Sequence, residues 1–273
     1  MKKSQAEWQW IFSLLRKQSS VGGNMIDIHS HILPGIDDGA LDFCDLLDMA
    51  DIAVESGIKG IIATPHCNIP GVYDNYFNEE YRVLFENAEY VLKKEGLPVT
   101  LYPGMEVFMT PEVPKLLKEG KLLTLNGSKN MLVEFDFAED PSYADRMLSE
   151  LIEMGIRPVI AHPERYEFVH DDLGIVYKWF RQGCLIQVNK ASFLGRFGKR
   201  AEYAAYRLLN HNLVNVVASD AHNQIKRTPF MLDAYDVLLR NYPQRYIDTL
   251  FYENTRRICK GLPVLQFEPR PFE

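Results

Sequence analysis

The chain has 273 residues, 47% of them hydrophobic, with a formal net charge of -7 and a pI near 5.6. The hydrophobic share suits a sizeable core, and the length suits a single α/β barrel. The acidic balance excludes a nucleic-acid partner held through a basic face, so an anionic substrate must be attracted locally.

The N-terminus opens Met1, Lys2, Lys3, but Gln5, Glu7, Gln9 and Arg16 interrupt the apolar run and no small-residue cleavage site follows, so export is not expected. No stretch approaches the roughly 18 apolar residues of a membrane span. Residues 4–18 read as a short amphipathic helix with Trp8, Ile11, Phe12, Leu14 and Leu15 on one side. It is expected to pack on the body of its own chain, with a partner subunit or a membrane surface as the other options. Ser19–Asn24, with Gly22 and Gly23, form a link. The division is therefore an N-terminal helix and linker over 1–24 and a barrel over 25–273.

Met25–Ala40, MIDIHSHILPGIDDGA, places four potential metal ligands within ten residues. Met25–Ile28 reads as a strand ending in His29, Ser30 and His31, and in an extended strand residues two apart point the same way. Both imidazoles can therefore grip one ion. Pro34 and Gly35 force a turn, and Asp37 and Asp38 follow as either a helix cap or oxygen ligands.

From there the pattern alternates. Strand-like runs fall at 25–29, 60–64, 99–105, 131–135, 157–161, 184–188 and 214–218, with helical stretches at 40–56, 74–95, 141–154, 171–182 and 199–210. Apolar strands alternating with helices imply parallel pairing buried on both faces. A doubly wound sheet would offer a glycine-rich phosphate turn after its first strand, and GxGxxG is absent. A closed or nearly closed barrel is expected, with its chemistry at the carboxyl ends of the strands.

Six of the seven strand ends carry a His, Asp or Glu: His29 and His31, His66, Glu106, Glu134, His162 with Glu164 and Arg165, and Asp220 with His222. Five of the seven histidines are among them; His170 and His211 are not. Such repetition points to a metal centre. A His and carboxylate set favours manganese or iron over a thiolate-preferring metal and leaves zinc and magnesium open. A metal bound there lowers the pKa of a coordinated water and supplies hydroxide near neutral pH.

Cysteine chemistry is not expected. Cys44, Cys67, Cys184 and Cys259 form no CxxC pair and none has Arg six residues on, so they read as buried small hydrophobes in a reducing cytoplasm. Ser30, between two ligands on a strand, faces away from them and is not expected to be a nucleophile. Phe108, Met109, Phe137, Phe168 and Phe193 follow strands three to six and offer either an aromatic rim or ordinary loop packing.

The blocks IDIHSHILPGIDDG, ATPHCN, GMEV, LVEF, AHPERY and VASDAH resemble those of the polymerase and histidinol phosphatase superfamily. Within it, they are most similar to the manganese-dependent protein-tyrosine phosphatases of bacterial capsule and exopolysaccharide operons. The likeness runs over about residues 25–260, leaving the N-terminal helix outside. It implies a (β/α)7 distorted TIM-like barrel with a three-ion cluster at the C-terminal ends of the strands. By that resemblance His29, His31, Glu106 and Asp220 hold the first ion, Glu106 bridges to a second completed by Glu134 and His162, and Asp38, His66 and His222 hold the third. Asp37 is the less favoured of its pair. A carboxylate at Glu134, where many superfamily members have histidine, is like the tyrosine phosphatase branch. Arg165 and Arg227 match that branch's phosphate-binding arginines, with a salt bridge to Glu164 or a neighbouring carboxylate the lesser reading of Arg165.

The expected function is hydrolysis of phosphotyrosine on a protein, such as a bacterial tyrosine kinase controlling polysaccharide export. The alternatives are a small-molecule phosphatase of the histidinol phosphate type and a non-catalytic kinase-binding subunit. An amidohydrolase also begins with HxH but often bridges its metals through a strand lysine, which is absent from the strand-four run. An oligomer is compatible with the chain.

Overall fold

The computed structural model describes residues 25–272. The helix expected over 4–18 and its linker lie outside the described residues. Among the described residues the strands are β1 Met25–Ser30, β2 Ile58–Ala63, β3 His66–Cys67, β4 Thr100–Pro103, β5 Glu106–Phe108, β6 Asn130–Glu134, β7 Arg157–Ala161, β8 Leu185–Asn189 and β9 Val216–Ala218. The longer helices are α1 Phe43–Glu55, α2 Glu79–Lys94, α4 Pro141–Glu153, α6 Gly174–Arg181, α8 Lys199–Asn210 and α9 Leu232–Leu239. Shorter ones are α3 Val113–Lys118, α5 Glu167–Asp171, α7 Lys190–Phe193, α10 Gln244–Asp248 and α11 Asn254–Cys259.

All strand pairs are parallel, in the orders β1-β2-β4 and β3-β5-β6-β7-β8-β9. β2 and β3 are pieces of one path broken at Thr64–Pro65, and β4 and β5 of another broken at Gly104–Met105, so nine pieces occupy seven positions. The ring closes through bonds from Asp220 N to the His29 carbonyl at 2.9 Å and from His31 N to the Ala221 carbonyl at 2.8 Å. The structure is thus a seven-position barrel. Most element limits move by one to three residues, and one shift bears on the site: the strand expected over 99–105 stops at Pro103, which has no N–H for the ladder, and Glu106 opens β5 instead of trailing a strand.

Period-two alternation divides the apolar residues between two cores. Ile26, Ile28, Ile62, Leu132, Val159, Leu185 and Val216 fill the lumen, closed by Ile258 from α11. Met25, Ile61, Val133, Ile160, Ile186 and Val217 face the helical layer, where Trp179, Leu148 and Leu208 are buried. Each such side chain contributes about 1.5–3 kcal/mol on burial. The N-cap of α1 is Asp42, whose Oδ1 accepts from Cys44 N at 2.8 Å and Asp45 N at 3.0 Å. The capping role considered for Asp37 and Asp38 therefore falls to a third aspartate. After α1 the chain reverses through Gly57 at φ +87, a conformation that strains L side chains. No helix among the described residues is long and apolar enough to cross a membrane.

Candidate metal centre

Strict alternation would put His29 on the same face as Met25 and Asp27. The β1–β2 register prevents this: Asp27 pairs with Ile61 and Ser30 with Ala63, so β1 advances three residues while β2 advances two. The extra residue lets His29 turn toward the lumen beside the inward-facing Ile28, the re-aiming that a bulge provides. His29 Nε2 and His31 Nε2 then lie 3.3 Å apart. The hydroxyl of Ser30 joins no hydrogen bond among the described residues.

The loop after β1 is shaped by Asp37. Its Oδ2 meets His31 Nδ1 at 2.7 Å and accepts from His66 N at 2.9 Å, while Oδ1 accepts from Gly39 N at 2.9 Å. A neighbouring carboxylate fixes which ring nitrogen carries the proton and leaves His31 Nε2 facing the centre. Asp38, half exposed, turns instead toward His222 Nε2 at 3.3 Å and His66 Nε2 at 3.6 Å.

Glu106, at the start of β5, is the hub. Its Oε2 lies 3.2 Å from His29 Nε2, 3.2 Å from His31 Nε2 and 3.1 Å from His66 Nδ1; its Oε1 lies 2.9 Å from His162 Nε2. Glu134, ending β6, meets His66 Nδ1 at 2.8 Å. His162 and Asp220 both adopt left-handed backbone, at φ 35 and φ 50. Such conformations are uncommon for residues other than glycine and cluster at functional sites.

The nine predicted ligands come together in four overlapping groups whose ligand atoms lie within 4.8 Å of one another: His31, Asp38, His66 and His222; His29, His31 and Asp220; His29, Glu106 and His162; and His66, Glu106 and Glu134. Glu134 groups here with His66, and His162 with His29. The predicted arginines flank Asp220, with Arg227 Nη2 2.6 Å from Oδ1 and Arg165 Nη1 3.4 Å from Oδ2. Arg165 thus contacts a neighbouring carboxylate, and Glu164 instead accepts from Ser192 Oγ at 2.6 Å and Asn189 N at 3.0 Å.

Electrostatics suit cations. Burial opposes the ionised form of Glu106, yet the charges of His29 and His66 and the hydrogen bond with His162 hold its carboxyl well below the usual range. Burial and the charge of Glu106 push Glu134 up. Two carboxylates this close repel, and a cation between them relieves the repulsion. Burial pushes His162 down to about 4; burial and the charge of His31 push His222 to about 4 as well. Both are then neutral, the form that ligates. Glu106 Oε2, His162 Nδ1 and His222 Nε2 are buried without a hydrogen bond among the described residues. Oxygen and imidazole ligand atoms converging from six strand ends, some of them with unused lone pairs, fit divalent cations.

Ordinary packing holds for three of the rim candidates: Met109 and Phe193 are buried in the outer core, and Phe168 packs on Trp179 and Tyr166. Phe137 is at the mouth, 41% exposed, with the Arg165 guanidinium 4.8 Å from its ring centre. Its counterpart is Phe197, 4.4 Å from Arg165 and 5.9 Å from Arg227. Phe197 was not legible in the sequence, standing among glycines in a loop with no periodicity. Cys67, Cys184 and Cys259 are buried as expected, but Cys44 is exposed.

Comparison with known proteins places this geometry in context. The model of the family described as "Capsular polysaccharide synthesis, CpsB/CapC" matches residues 25–260. Tyrosine-protein phosphatase YwqE of Bacillus subtilis is 38% identical over 90% of this chain and 96% of its own. Tyrosine-protein phosphatase CpsB of Streptococcus agalactiae is 32% identical over 87% of this chain and 99% of its own. A solved structure from work on YwqE of Bacillus subtilis and CpsB of Streptococcus pneumoniae, described as unique metal-dependent tyrosine phosphatases, superimposes with a TM-score of 0.85. It is 37% identical and covers 91% of this chain and 100% of that one.

Proposed function

Because this chain belongs to the capsular polysaccharide synthesis CpsB/CapC family, we propose that it is a metal-dependent protein-tyrosine phosphatase, built on the nine-residue cluster and on Arg165 and Arg227. The observation that carries the reading is Glu106, one buried carboxylate facing four imidazoles, with two arginines on Asp220 of the same cluster. Three divalent ions, manganese first among them, suit the four overlapping groups. Held there, such ions supply Lewis acidity toward the phosphoryl oxygens and the attacking water.

The protein's own residues do the rest. Arg165 and Arg227 present planar forks at the mouth that match phosphate oxygens and stabilise the charge gathering on them in the transition state. Phe137 and Phe197 hold those forks by stacking and offer ring faces to an aryl leaving group. The three buried thiols are poor nucleophiles: burial pushes Cys67 and Cys184 up to about 12 and Cys259 to about 11. The family's link to capsular polysaccharide synthesis supports a cytoplasmic bacterial tyrosine kinase of that process as the protein substrate.

The test is phosphate release from a tyrosine-phosphorylated peptide and from histidinol phosphate, with and without manganese, by wild type and His29→Ala. Manganese-dependent release from the peptide, absent in the variant, is expected. Preference for the small ester would move the assignment to a small-molecule phosphatase, and silence on both would overturn catalysis.

A further inference from the structure

β8 is the barrel strand whose end carries none of the ionisable candidates, yet it is not apolar. Its sequence, LIQVN, places Gln187 and Asn189 on the same face as Leu185, which lies in the lumen. Both amides are fully buried, at 0% exposure. Burying a side-chain amide costs free energy unless its donors and acceptors are paired, and here the pairing forms a chain. Asn189 Nδ2 donates to Asp220 Oδ2 at 2.5 Å, Gln187 Nε2 donates to Asn189 Oδ1 at 2.8 Å, and Gln187 Oε1 lies 2.9 Å from His29 Nδ1.

The direction of this chain is not free. An ionised carboxylate only accepts, so Asn189 must turn its NH2 toward Asp220 and its oxygen toward Gln187. Gln187 must then give its NH2 to Asn189 and its oxygen to His29. That oxygen is satisfied only if His29 Nδ1 carries a proton, and in the neutral ring that a metal requires this leaves the Nε2 lone pair pointing at Glu106 and His31. A carboxylate from the loop after β9 thus fixes the tautomer of a histidine on β1 through two neutral amides. At the other end the bond holds Asp220 so that Oδ1, which meets Arg227 Nη2, also faces His29 Nε2 and His31 Nε2, each at 3.5 Å. Asn189 is itself anchored by its backbone N–H to Glu164 Oε1 at 3.0 Å, next to Arg165.

We infer that Gln187 and Asn189 are positioning residues for the metal cluster, an amide bracket that sets the tautomer of His29 and the rotation of Asp220. The inference rests on the cluster's holding metal. Partners that orient ligands in this way typically contribute 10- to 100-fold to metal affinity or activity.

The experiment titrates metal-free full-length protein with Mn2+ by calorimetry, comparing wild type, Gln187→Leu, Asn189→Leu and the double variant, with circular dichroism confirming the fold of each. Each single variant is expected to bind about 10- to 100-fold more weakly. Because Gln187 and Asn189 share one chain, the double variant should lose less than the product of the two single losses. A second readout needs no variant: in 15N-histidine-labelled wild type loaded with diamagnetic Zn2+, His29 should carry its proton on Nδ1. Wild-type affinity in both single variants, or a proton on Nε2 in wild type, overturns the bracket alone. Wild-type protein that takes up no Mn2+ overturns the cluster reading and the bracket with it.

Discussion

Replacing Phe197 by Ala removes the ring against which both arginines rest. The Arg165 guanidinium lies 4.4 Å from its centre and that of Arg227 5.9 Å, the second near the limit of about 6 Å at which such attraction counts. Arg165 and Arg227 are 19% and 28% exposed, so the lower range, about 0.5–1 kcal/mol per contact, applies. With the longer contact counted at about half, the loss is about 0.8–1.5 kcal/mol, or roughly four- to twelvefold in kcat/KM at about 1.4 kcal/mol per decade. Because the forks both grip phosphate and stabilise charge in the transition state, the loss should divide between KM and kcat. Phe137→Ala, which loses one contact at 4.8 Å, should cost roughly two- to fivefold. The assay is steady-state hydrolysis of a phosphotyrosyl peptide with bound metal measured in parallel. A kcat/KM for Phe197→Ala within about twofold of wild type, or a loss that tracks metal content, would refute the reasoning.

Three further outcomes follow from the same geometry. In Gly39→Ala the new Cβ would lie 2.0 Å from the His31 carbonyl oxygen and 2.5 Å from its Cβ, so the loop and His31 must part; metal affinity should fall at least about tenfold with the fold retained by circular dichroism, and unchanged affinity would show that the loop yields. Asp37→Ala strips partners from His31 Nδ1, His66 N and Gly39 N and should lower metal affinity by about 10- to 100-fold, measured by titration; wild-type affinity would make Asp37 a loop-shaping residue only. Chelation of the metal-loaded protein should lower Tm by about 5–10 °C, since ligand at a hundred times Kd contributes about 2.7 kcal/mol; an unmoved Tm would mean the folded state gains nothing from metal.

The barrel was legible because its strands are short apolar runs bounded by turn residues, and that signal survives without any tertiary information. The short helices α3, α5 and α7, of four to six residues, span too little chain to show a period of 3.6. The ionisable residues of the site were legible because titratable side chains at strand ends stand out from apolar neighbours. Its geometry was not. The bulge that turns His29 inward is a register effect between two strands, and the left-handed backbone at His162 and Asp220 has no sequence signature. Asp37 and Asp38 are chemically identical, and their roles diverge only because His31 Nδ1 lies beside one and His222 beside the other. Gln187 and Asn189 carried a readable sign, two amides at lumen-facing positions of an apolar strand, but neutral groups draw no attention when charge is the search criterion. Phe197 belongs to a loop whose path only the fold determines.

The most direct measurement is anomalous diffraction at the manganese edge from crystals of the metal-loaded protein, wild type and Glu106→Gln. Wild type should show peaks bounded by His29, His31, Asp38, His66, Glu106, Glu134, His162, Asp220 and His222, and the variant should lose those that Glu106 touches. A wild-type map with no peak among these nine side chains would contradict the account.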